Sequence, residues 1–499
     1  MKMSKLAKNT YSSLMLQVIT IICGFILPRF ILSFYGSSVN GLVNSITQFL
    51  SIIAFLDLGV GAVFQSSLYK PLIENDINSI SKIYISGQRF FLRLAKILLV
   101  YVVVLIFALP FINKEFSFAY MATLILAMSI SSFAQYYFGM VNGLLLTADQ
   151  RGYIQYNVQI ITLVLNTVAC IVLIKLGASI HIVKLVTSII YLARPLVLKI
   201  YVDKHFQIDR SIKYDAEPIK QKWNGLAQHV AFVILDSTDT IVLTLFSSLS
   251  NVSIYSVYFL VISGLKQLFV VTTNGIQALI GQLYAQNVRE RLMEVFGWTE
   301  WVIHTLTTFI FGCTNMLIIP FVLIYTKGIT DANYNQPLFS ALLTLAYAFY
   351  CLRMPYHIAI KAGVHYKQTQ KCYLSAAVIN IVISIGFVKQ FGLIGVAIGT
   401  LIAMVYQTFW MAWYNSKNII CWPFKKFIKQ IAVDIISSLI GELLTFRISI
   451  KSLSITNWLL MSIKVSFIWL VVLIVINLLF YREYIRALVC RVRRRKICD

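Results

Sequence analysis

Long apolar segments recur from one end of the chain to the other. Each is about 20 residues long, the length of an α-helix that crosses a hydrocarbon core of roughly 30 Å. Hydrophobic residues make up 59% of the chain and charged residues 12%, whereas soluble domains carry about 25% charged residues. Because lipid offers the backbone no hydrogen-bond partner, each segment has to be helical. We therefore predict an all-α polytopic membrane protein with about fourteen spans, at residues 10–34, 39–68, 94–113, 117–147, 153–174, 179–200, 225–247, 252–280, 299–325, 338–360, 372–388, 392–414, 427–446 and 458–480.

The positive charges are distributed unevenly between the loops. The chain carries 43 Lys and Arg residues against 19 acidic residues, a net charge of +24. If both termini lie on one side of the membrane, most of these cations lie on that side, which the positive-inside rule identifies as the cytoplasm. The basic tail at 491–496 is predicted to bind anionic lipid, and no nucleic acid is expected as a partner. The opposite loops hold only Lys114, Lys175, Lys184, Lys327, Lys389, Arg447 and Lys451.

Sequence motifs for catalysis, cofactors or metals are not found in the chain. The 8 cysteines are scattered without metal-ligand spacing, and there is no phosphate-binding glycine motif, dinucleotide fingerprint or nucleophile elbow. A membrane glycosyltransferase or polymerase would need a sizeable outer loop, but the longest predicted ones are 326–337 and 447–457. We therefore expect no enzyme, no cofactor and no metal.

An internal repeat divides the chain into two halves. At an offset of 214 residues Asn166 aligns with Asn380, and after a one-residue slip Gly177 aligns with Gly392. Six spans per half give both halves the same orientation, which predicts parallel repeats around a central cavity. The predicted domains are an N-terminal six-helix bundle at 1–202, a cytosolic linker at 203–224, a second six-helix bundle at 225–416, and two appended helices with a basic cytosolic tail at 417–499.

Four cations interrupt the apolar segments: Arg29, Arg194, Lys266 and Arg353. A cation at the centre of a span costs about 3 kcal/mol, so it needs a partner, a wet cavity or an anionic ligand. This pattern indicates a transporter for an anionic substrate. Three of the four lie next to a proline or two residues from one, where we expect the helix to break, namely Pro28, Pro195 and Pro355.

These cations do not follow the internal repeat. The repeat predicts a duplicated scaffold, but the cations occur in only one copy of each repeated position. This favours a role for them in an asymmetric substrate site over a role in maintaining the fold. At the 214-residue offset Arg29 aligns with Leu243, Lys266 with Ile52, and Arg353 with Gly139.

Three acidic residues are predicted to be buried within the spans: Asp57, Asp236 and Asp239. Asp236 and Asp239 are three residues apart and therefore share one helix face. These acids are either counter-charges to Arg29 and Lys266 or a cation site that drives transport, so coupling to H⁺ or Na⁺ stays open. Asp57 has a further interpretation, as a structural residue beside helix-loosening glycines.

A line of basic residues lies on the tenth predicted span. Arg353, His357 and Lys361 are spaced by four residues and share one face. With Arg194 they are predicted to contact phosphate at the inner mouth of a cavity. In the alternative interpretation, Lys361 follows only the positive-inside rule and Arg353 extends to the membrane surface. His304, near the end of a predicted span, is expected to be structural.

Several short stretches carry a resemblance to a known family. The chain resembles the multidrug/oligosaccharidyl-lipid/polysaccharide exporter (MOP) superfamily, and within it the polysaccharide-biosynthesis branch of Wzx-type O-antigen and capsule flippases. The resemblance extends over essentially the whole chain. It is carried by Pro28-Arg29-Phe30, Gly41-Leu42, Phe55-Leu56-Asp57-Leu58-Gly59-Val60-Gly61, Asn142-Gly143-Leu144-Leu145 and Ala148-Asp149-Gln150-Arg151.

This resemblance implies a substrate and its setting. The substrate would be an oligosaccharide linked to a polyprenyl diphosphate, moved across the bacterial cytoplasmic membrane. The central cavity would be lined by spans one, two, seven and eight, which places Arg29 and Lys266 in it. A diphosphate suits the bidentate fork of an arginine. The implied partners are this lipid-linked oligosaccharide, membrane lipid, and a polysaccharide polymerase with glycosyltransferases.

Two related functions are alternatives. A drug or metabolite cation antiporter of the MATE type is expected to carry a carboxylate in its first span, where this chain has Arg29. A lipid II flippase would suit the same cavity chemistry.

Overall fold

The computed structural model describes residues 5–53, 60–212, 226–487 and 490, and within these ranges it contains helices and no strand. A π-helical turn, Gln135–Gly139, joins the helix Phe118–Ala134 to the helix Met140–Ala148. The helices are α1 (Lys5–Ser51), α2 (Val60–Glu74), α3 (Ile77–Ile112), α4 (Phe118–Ala134), α5 (Met140–Ala148), α6 (Gly152–Lys175), α7 (Ile180–His205), α8 (Leu226–Phe246), α9 (Leu249–Ala285), α10 (Arg289–Tyr325), α11 (Pro337–Leu352), α12 (Met354–Ala362), α13 (Tyr366–Phe391), α14 (Leu393–Asn418), α15 (Phe424–Thr445) and α16 (Ile455–Phe480).

The helices account for the fourteen predicted spans. Within the described residues, 11 helical segments are long and apolar enough to cross a membrane. The second predicted span, 39–68, corresponds to the end of α1 and the first part of α2, and its residues 54–59 lie outside the described part. The seventh is α8, and the thirteenth is α15, which carries Lys429, Asp434 and Glu442. The prediction of an all-α polytopic membrane protein is confirmed.

Short polar side chains begin several of these helices. The Asp76 carboxylate accepts the backbone N–H of Ser79 at the start of α3, at 3.0 Å. Hydrogen bonds from Ser79 hold the pKa of that carboxyl below its usual range. Ser117 and Ser179 cap α4 and α7 in the same way. Such residues supply partners to backbone donors that the first helical turn leaves unsatisfied.

Helix breaks occur at fewer prolines than predicted. Arg353 lies between α11 and α12, so the break expected near Pro355 is confirmed. Pro28 and Pro195 lie inside α1 and α7, where the predicted breaks are wrong. The helix continues because a membrane offers its backbone no other set of partners. The kink of α1 falls instead at Gly36, whose φ of 82° is readily adopted by glycine.

The first compact unit comprises Met1–Ser253. Helix α8 packs on α1 within it, through a hydrogen bond of 2.7 Å between the hydroxyls of Ser45 and Thr244. Asn40 donates its amide N–H to the Ser253 hydroxyl, also at 2.7 Å. Contacts therefore divide the chain after Ser253. The predicted linker at 203–224 stays a prediction, since residues 213–224 lie outside the described part.

The second compact unit comprises Ile254–Asp499. The two C-terminal helices α15 and α16 pack on α10. Trp458 on α16 donates its indole N–H to the Leu317 carbonyl at 3.0 Å. Trp469 is fully buried, and its ring lies against the backbone of Gly312 on α10 and Gly441 on α15. These helices are thus part of the second unit's core.

A similar helix pair recurs in both units. In the first, α6 and α7 are joined through Gly177, which has a φ of 76°. In the second, α13 and α14 are joined through Gly392, which has a φ of 53°. Asn166 donates to the Tyr191 hydroxyl within the first pair, and Asn380 donates to Thr400 within the second. The residues that align in the sequence thus take similar positions.

The contact of Trp469 with Gly312 gives a test of the second unit. A Cβ on Gly312 would lie 2.1 Å from the Trp469 ring, and overpacking of this kind costs about 1–3 kcal/mol. We expect Gly312→Ala to lower the melting temperature of the detergent-solubilised protein. Gly386→Ala is the matched control, because nothing lies within 4 Å of a Cβ there. Equal melting temperatures for the two variants would contradict this packing.

Candidate functional site

A polar cavity lies inside the first unit. It has a volume of about 580 Å³ and is bordered by α1, α4, α6 and α7. Its described lining residues include two cations, Lys184 and Arg194, and no carboxylate. The other polar lining side chains are Thr47, Ser51, Ser131, Ser132, Gln135, Tyr136, Gln155, Gln159, Asn166, Thr187, Ser188 and Tyr191. A cavity of this composition attracts an anion that also carries hydroxyl groups.

The polar faces of α6 and α7 follow from their sequences. On α7, Lys184, Thr187 and Tyr191 repeat at three- and four-residue intervals, which places them on one side of a helix. The opposite side of α7 exposes Ile182, Ile189 and Ile200. Apolar side chains face outward because lipid surrounds a span, so the polar face has to point into the protein.

Arg194 is held in a fixed orientation at this cavity. Its Nε donates to the Thr162 hydroxyl on α6 at 2.6 Å. The guanidinium carbon lies 3.8 Å from the centroid of the Tyr191 ring. Tyr191 is held in turn by Asn166, whose amide N–H donates to its hydroxyl at 3.2 Å. Among the described residues, no carboxylate lies within ion-pair distance of Arg194, so its charge is available to a ligand.

Lys184 is a site residue that the sequence interpretation missed. It was counted with the outer-loop cations although it lies inside the sixth predicted span, 179–200, and the structure places it in α7, four residues after Ile180. It lines the same cavity as Arg194. The two cations are ten residues apart, a rise of roughly 15 Å along the helix. The polar periodicity from Lys184 to Arg194 is the sequence signal that would have identified both.

A second group of cations lies in the second unit around Tyr350. The Lys266 ammonium is 5.0 Å from the centroid of the Tyr350 ring, and the Arg353 guanidinium carbon is 4.3 Å from it. The Lys266 ammonium also lies 5.7 Å from the Tyr347 ring and 6.0 Å from the Phe259 ring. The aromatic rings therefore surround the charge of Lys266.

Arg353 is buried, with 5% of its surface exposed. The structure therefore disfavours the alternative in which the Arg353 side chain extends to the membrane surface. Its contact with Tyr350 provides about 0.5–2 kcal/mol, less than the roughly 3 kcal/mol that a cation inside a span costs. One guanidinium nitrogen, Nη1, has no hydrogen-bond partner among the described residues. The hydrogen-bonding capacity of this nitrogen is therefore unused within the described residues.

His357 forms a hydrogen bond within the second unit. It lies on α12, and its Nδ1 is 2.7 Å from the Tyr373 hydroxyl on α13. Lys361 follows one turn later on α12 and is half-buried.

Three of the remaining predicted site residues, Arg29, Asp236 and Asp239, lie on α1 and α8. Arg29 is half-buried on α1, directly after Pro28. Asp239 is buried on α8, with 1% of its surface exposed. Asp236 lies one turn earlier on α8, and its side chain is outside the described part, as is the whole of Asp57. A shared cavity for Arg29 and Lys266, and their pairing with these acids, stay predictions.

The stretch Ala148–Arg151, which carries part of the family resemblance, holds a loop in place. Arg151 Nε lies 2.6 Å from Asp149 Oδ2, and the Lys5 ammonium lies 3.5 Å from Asp149 Oδ1. Asn9 on α1 donates to the carbonyl of Gln150 at 2.9 Å. These contacts tie the start of α1 to the α5–α6 loop.

Comparisons with known proteins relate this fold to membrane transporters. No protein-family model matches the sequence, and no curated protein matches it. Among solved structures, the lipid II flippase MurJ in an inward closed conformation is 15% identical with a TM-score of 0.70, and the match covers 96% of this chain and 99% of that one.

Two transporters of the MATE family are also similar. An outward-facing multidrug resistance MATE transporter of the MOP superfamily is 14% identical with a TM-score of 0.52, over 83% of this chain and 97% of that one. The Vibrio cholerae MATE transporter VcmN in its bent form is 12% identical with a TM-score of 0.54, over 82% and 97%. The chain therefore shares its fold with these transporters, as the superfamily predicted from the sequence requires.

Proposed function

We propose that this protein is a flippase for an oligosaccharide linked to a polyprenyl diphosphate. It moves an O-antigen, capsule or exopolysaccharide repeat unit from the cytoplasmic to the outer leaflet of the cytoplasmic membrane by alternating access. The observation that carries the proposal is the polar cavity of the first unit, whose described wall combines two cations with many hydroxyl and amide groups.

The substrate has three parts with different chemistry, and the cavity fits two of them. Arg194, held by Thr162 and stacked on Tyr191, presents a planar fork to diphosphate oxygens. The Gln, Ser, Thr and Asn side chains of the wall can exchange hydrogen bonds with sugar hydroxyls. Ligand pockets of 300–1,000 Å³ hold drug-sized molecules. A cavity of about 580 Å³ therefore suits the diphosphate with the adjacent sugar.

The structural neighbours favour a lipid-linked substrate over a drug. MurJ, named as a lipid II flippase, matches 96% of this chain. The two MATE transporters match 82–83% of it. A cation antiporter is also disfavoured by the charge of the cavity, since Lys184 and Arg194 repel a cationic drug. Lipid II flipping is the second candidate function, because it needs a site for the same diphosphate.

The proposed setting follows from the sequence. Both termini lie in the cytoplasm, and glycosyltransferases and a polymerase act before and after transport. Arg29 and Lys266 contribute to the central cavity, with Asp57, Asp236 and Asp239 as counter-charges. Arg194, predicted at the inner mouth, binds the diphosphate in the first-unit cavity, and Arg353 and His357 are further phosphate contacts.

The first-unit cavity is tested by removing its cations. A hydrogen bond to a charged group contributes about 1.5–3 kcal/mol, which corresponds to roughly 10- to 100-fold in affinity. We expect Arg194→Ala and Lys184→Ala each to weaken binding of a fluorescent polyprenyl-diphosphate sugar by about that factor. The measurement is equilibrium binding to the purified protein in lipid nanodiscs.

Two controls separate charge from folding in that experiment. Lys204→Ala removes a cation from the exposed end of the same helix, outside the cavity, and should bind as the wild type does. A polyprenyl glycoside without phosphate should bind all variants with similar affinity. Equal weakening for the two lipids would exclude the cavity as the diphosphate site.

The cations of the proposed central cavity have a cellular test. Arg29→Ala or Lys266→Ala should sharply reduce surface polysaccharide, because each removes a partner of the diphosphate from the transport path. Surface glycan is measured by immunoblotting, and protein level is measured in the same membranes. Wild-type glycan in both variants at normal protein level would refute a role for these cations in transport.

A further inference from the structure

A buried cluster of acids and a histidine lies between α10 and α15 in the second unit. Glu300 and His304 are one turn apart on α10, and Asp434 lies on α15. His304 has no exposed surface, and Glu300 and Asp434 have 4% and 7%. Ionisable side chains at such positions are costly, and in membrane proteins they usually mark functional sites.

Both carboxylates of the cluster receive hydrogen bonds suited to their anionic form. Glu300 accepts the Tyr356 hydroxyl at 2.5 Å and the Trp422 indole N–H at 2.6 Å, one on each oxygen. The carboxylate of Asp434 accepts the Thr308 hydroxyl at 3.1 Å and the Gln430 amide at 3.3 Å. These donors satisfy the carboxylate oxygens without adding a positive charge beside them.

His304 is the group that can neutralise part of this charge. Its Nδ1–H donates to Asp434 Oδ2 at 2.6 Å. The ring is enclosed by the rings of Tyr356 and Phe427, whose centroids lie 6.4 and 6.3 Å away. The second nitrogen, Nε2, is buried without a hydrogen-bond partner among the described residues. A proton on Nε2 would place an imidazolium beside two carboxylates, where its charge is stabilised.

Cavities border the cluster on two sides. Asp434 and Thr308 line a cavity of about 500 Å³, which Glu442 also lines. Glu300 and Gln430 line another of about 380 Å³, whose wall includes Lys426, Lys429 and Arg482. The cluster lies between these two cavities in the described part of the unit. The wall on the Glu300 side is the more polar of the two, so this is the side from which water can reach the cluster.

We propose that Glu300, His304 and Asp434 form a proton-binding site, with His304 Nε2 as the proton acceptor. In this step a hydronium ion from the cavity beside Glu300 gives a proton to Nε2 and is left as water. The Nδ1–H of the imidazolium keeps its bond to Asp434. A role for this site in driving transport rests on the proposed function, but proton binding does not.

The ionisable groups around the site determine the electrostatic environment of His304. These groups lie on α10, α12 and α15 and in the segment after α16. Helix α11 lines the larger cavity, but its described lining residues include no ionisable side chain. The groups are Glu300 on α10, Tyr356 on α12, Lys426, Lys429, Asp434 and Glu442 on α15, and Tyr481, Arg482, Glu483 and Tyr484 after α16.

Proton binding is tested directly by nitrogen-15 NMR of the purified protein with labelled histidine. The chain has only 6 histidines, so His304→Gln identifies the signals of His304. Spectra are recorded from about pH 8 to pH 5, and we expect these signals to change from neutral imidazole to imidazolium as the proposed acceptor binds a proton. At a fixed pH, Asp434→Asn should lower the imidazolium fraction, because a neutral amide stabilises the charge less. If His304 kept one protonation state throughout this pH range, the proposed proton-binding site would be wrong.

The link to transport is tested with the protein reconstituted in vesicles. Flipping of a fluorescent polyprenyl-diphosphate sugar is measured with and without an imposed pH gradient. We expect the gradient to accelerate the wild type, and His304→Gln and Asp434→Asn to lose the gradient-dependent part while they keep flipping without a gradient. His365→Gln is the matched control, because this histidine bonds to the Tyr414 hydroxyl in the same unit.

The outcomes of the two experiments are distinguishable. An undiminished gradient response in His304→Gln would overturn the role of the site in driving transport. A wild type that flips no substrate would refute the proposed function, while the NMR titration would still decide whether His304 binds a proton.

Discussion

The interior of a membrane offers no partner to a charge, and this constraint governs the whole structure. Each ionisable side chain within a span has to find its partner inside the protein. In the first unit Lys184 and Arg194 face a polar cavity. In the second, Lys266 and Arg353 lie against Tyr350, and Glu300 accepts two neutral donors. The helices are oriented by these requirements as much as by their apolar faces.

The same constraint explains how the last two helices are attached. Lipid does not drive two apolar helices together, so close packing and buried polar bonds have to do so. Trp469 provides the packing, since its ring fills the space left by Gly312 and Gly441. Polar bonds add to it, from Trp458 to the Leu317 carbonyl and from His304 to Asp434. The polar cluster between α10 and α15 thus contributes to the fold as well as to the proposed proton site.

Much of the fold could be predicted from the sequence, because the length of a span and the bias of basic residues are properties of single segments. The site was harder to predict, because it depends on which faces meet. Arg194 was identified as a lone charge, but Lys184 was counted with the outer-loop cations, although it repeats with Thr187 and Tyr191 on one face. His304 was expected to be structural, and its partner Asp434 could not be identified from the sequence because it is 130 residues away in the chain.

The two units show how a duplicated scaffold can hold different chemistry. The pairs α6–α7 and α13–α14 share a positive-φ glycine at the turn and an asparagine bond between the helices. Yet α7 presents Lys184 and Arg194 to its cavity, whereas the buried face of α14 consists of neutral side chains such as Thr400 and Gln407. A charge needed only to hold the scaffold together would be expected in both pairs. Because it occurs in one, the cations of α7 are better explained by a ligand than by the fold.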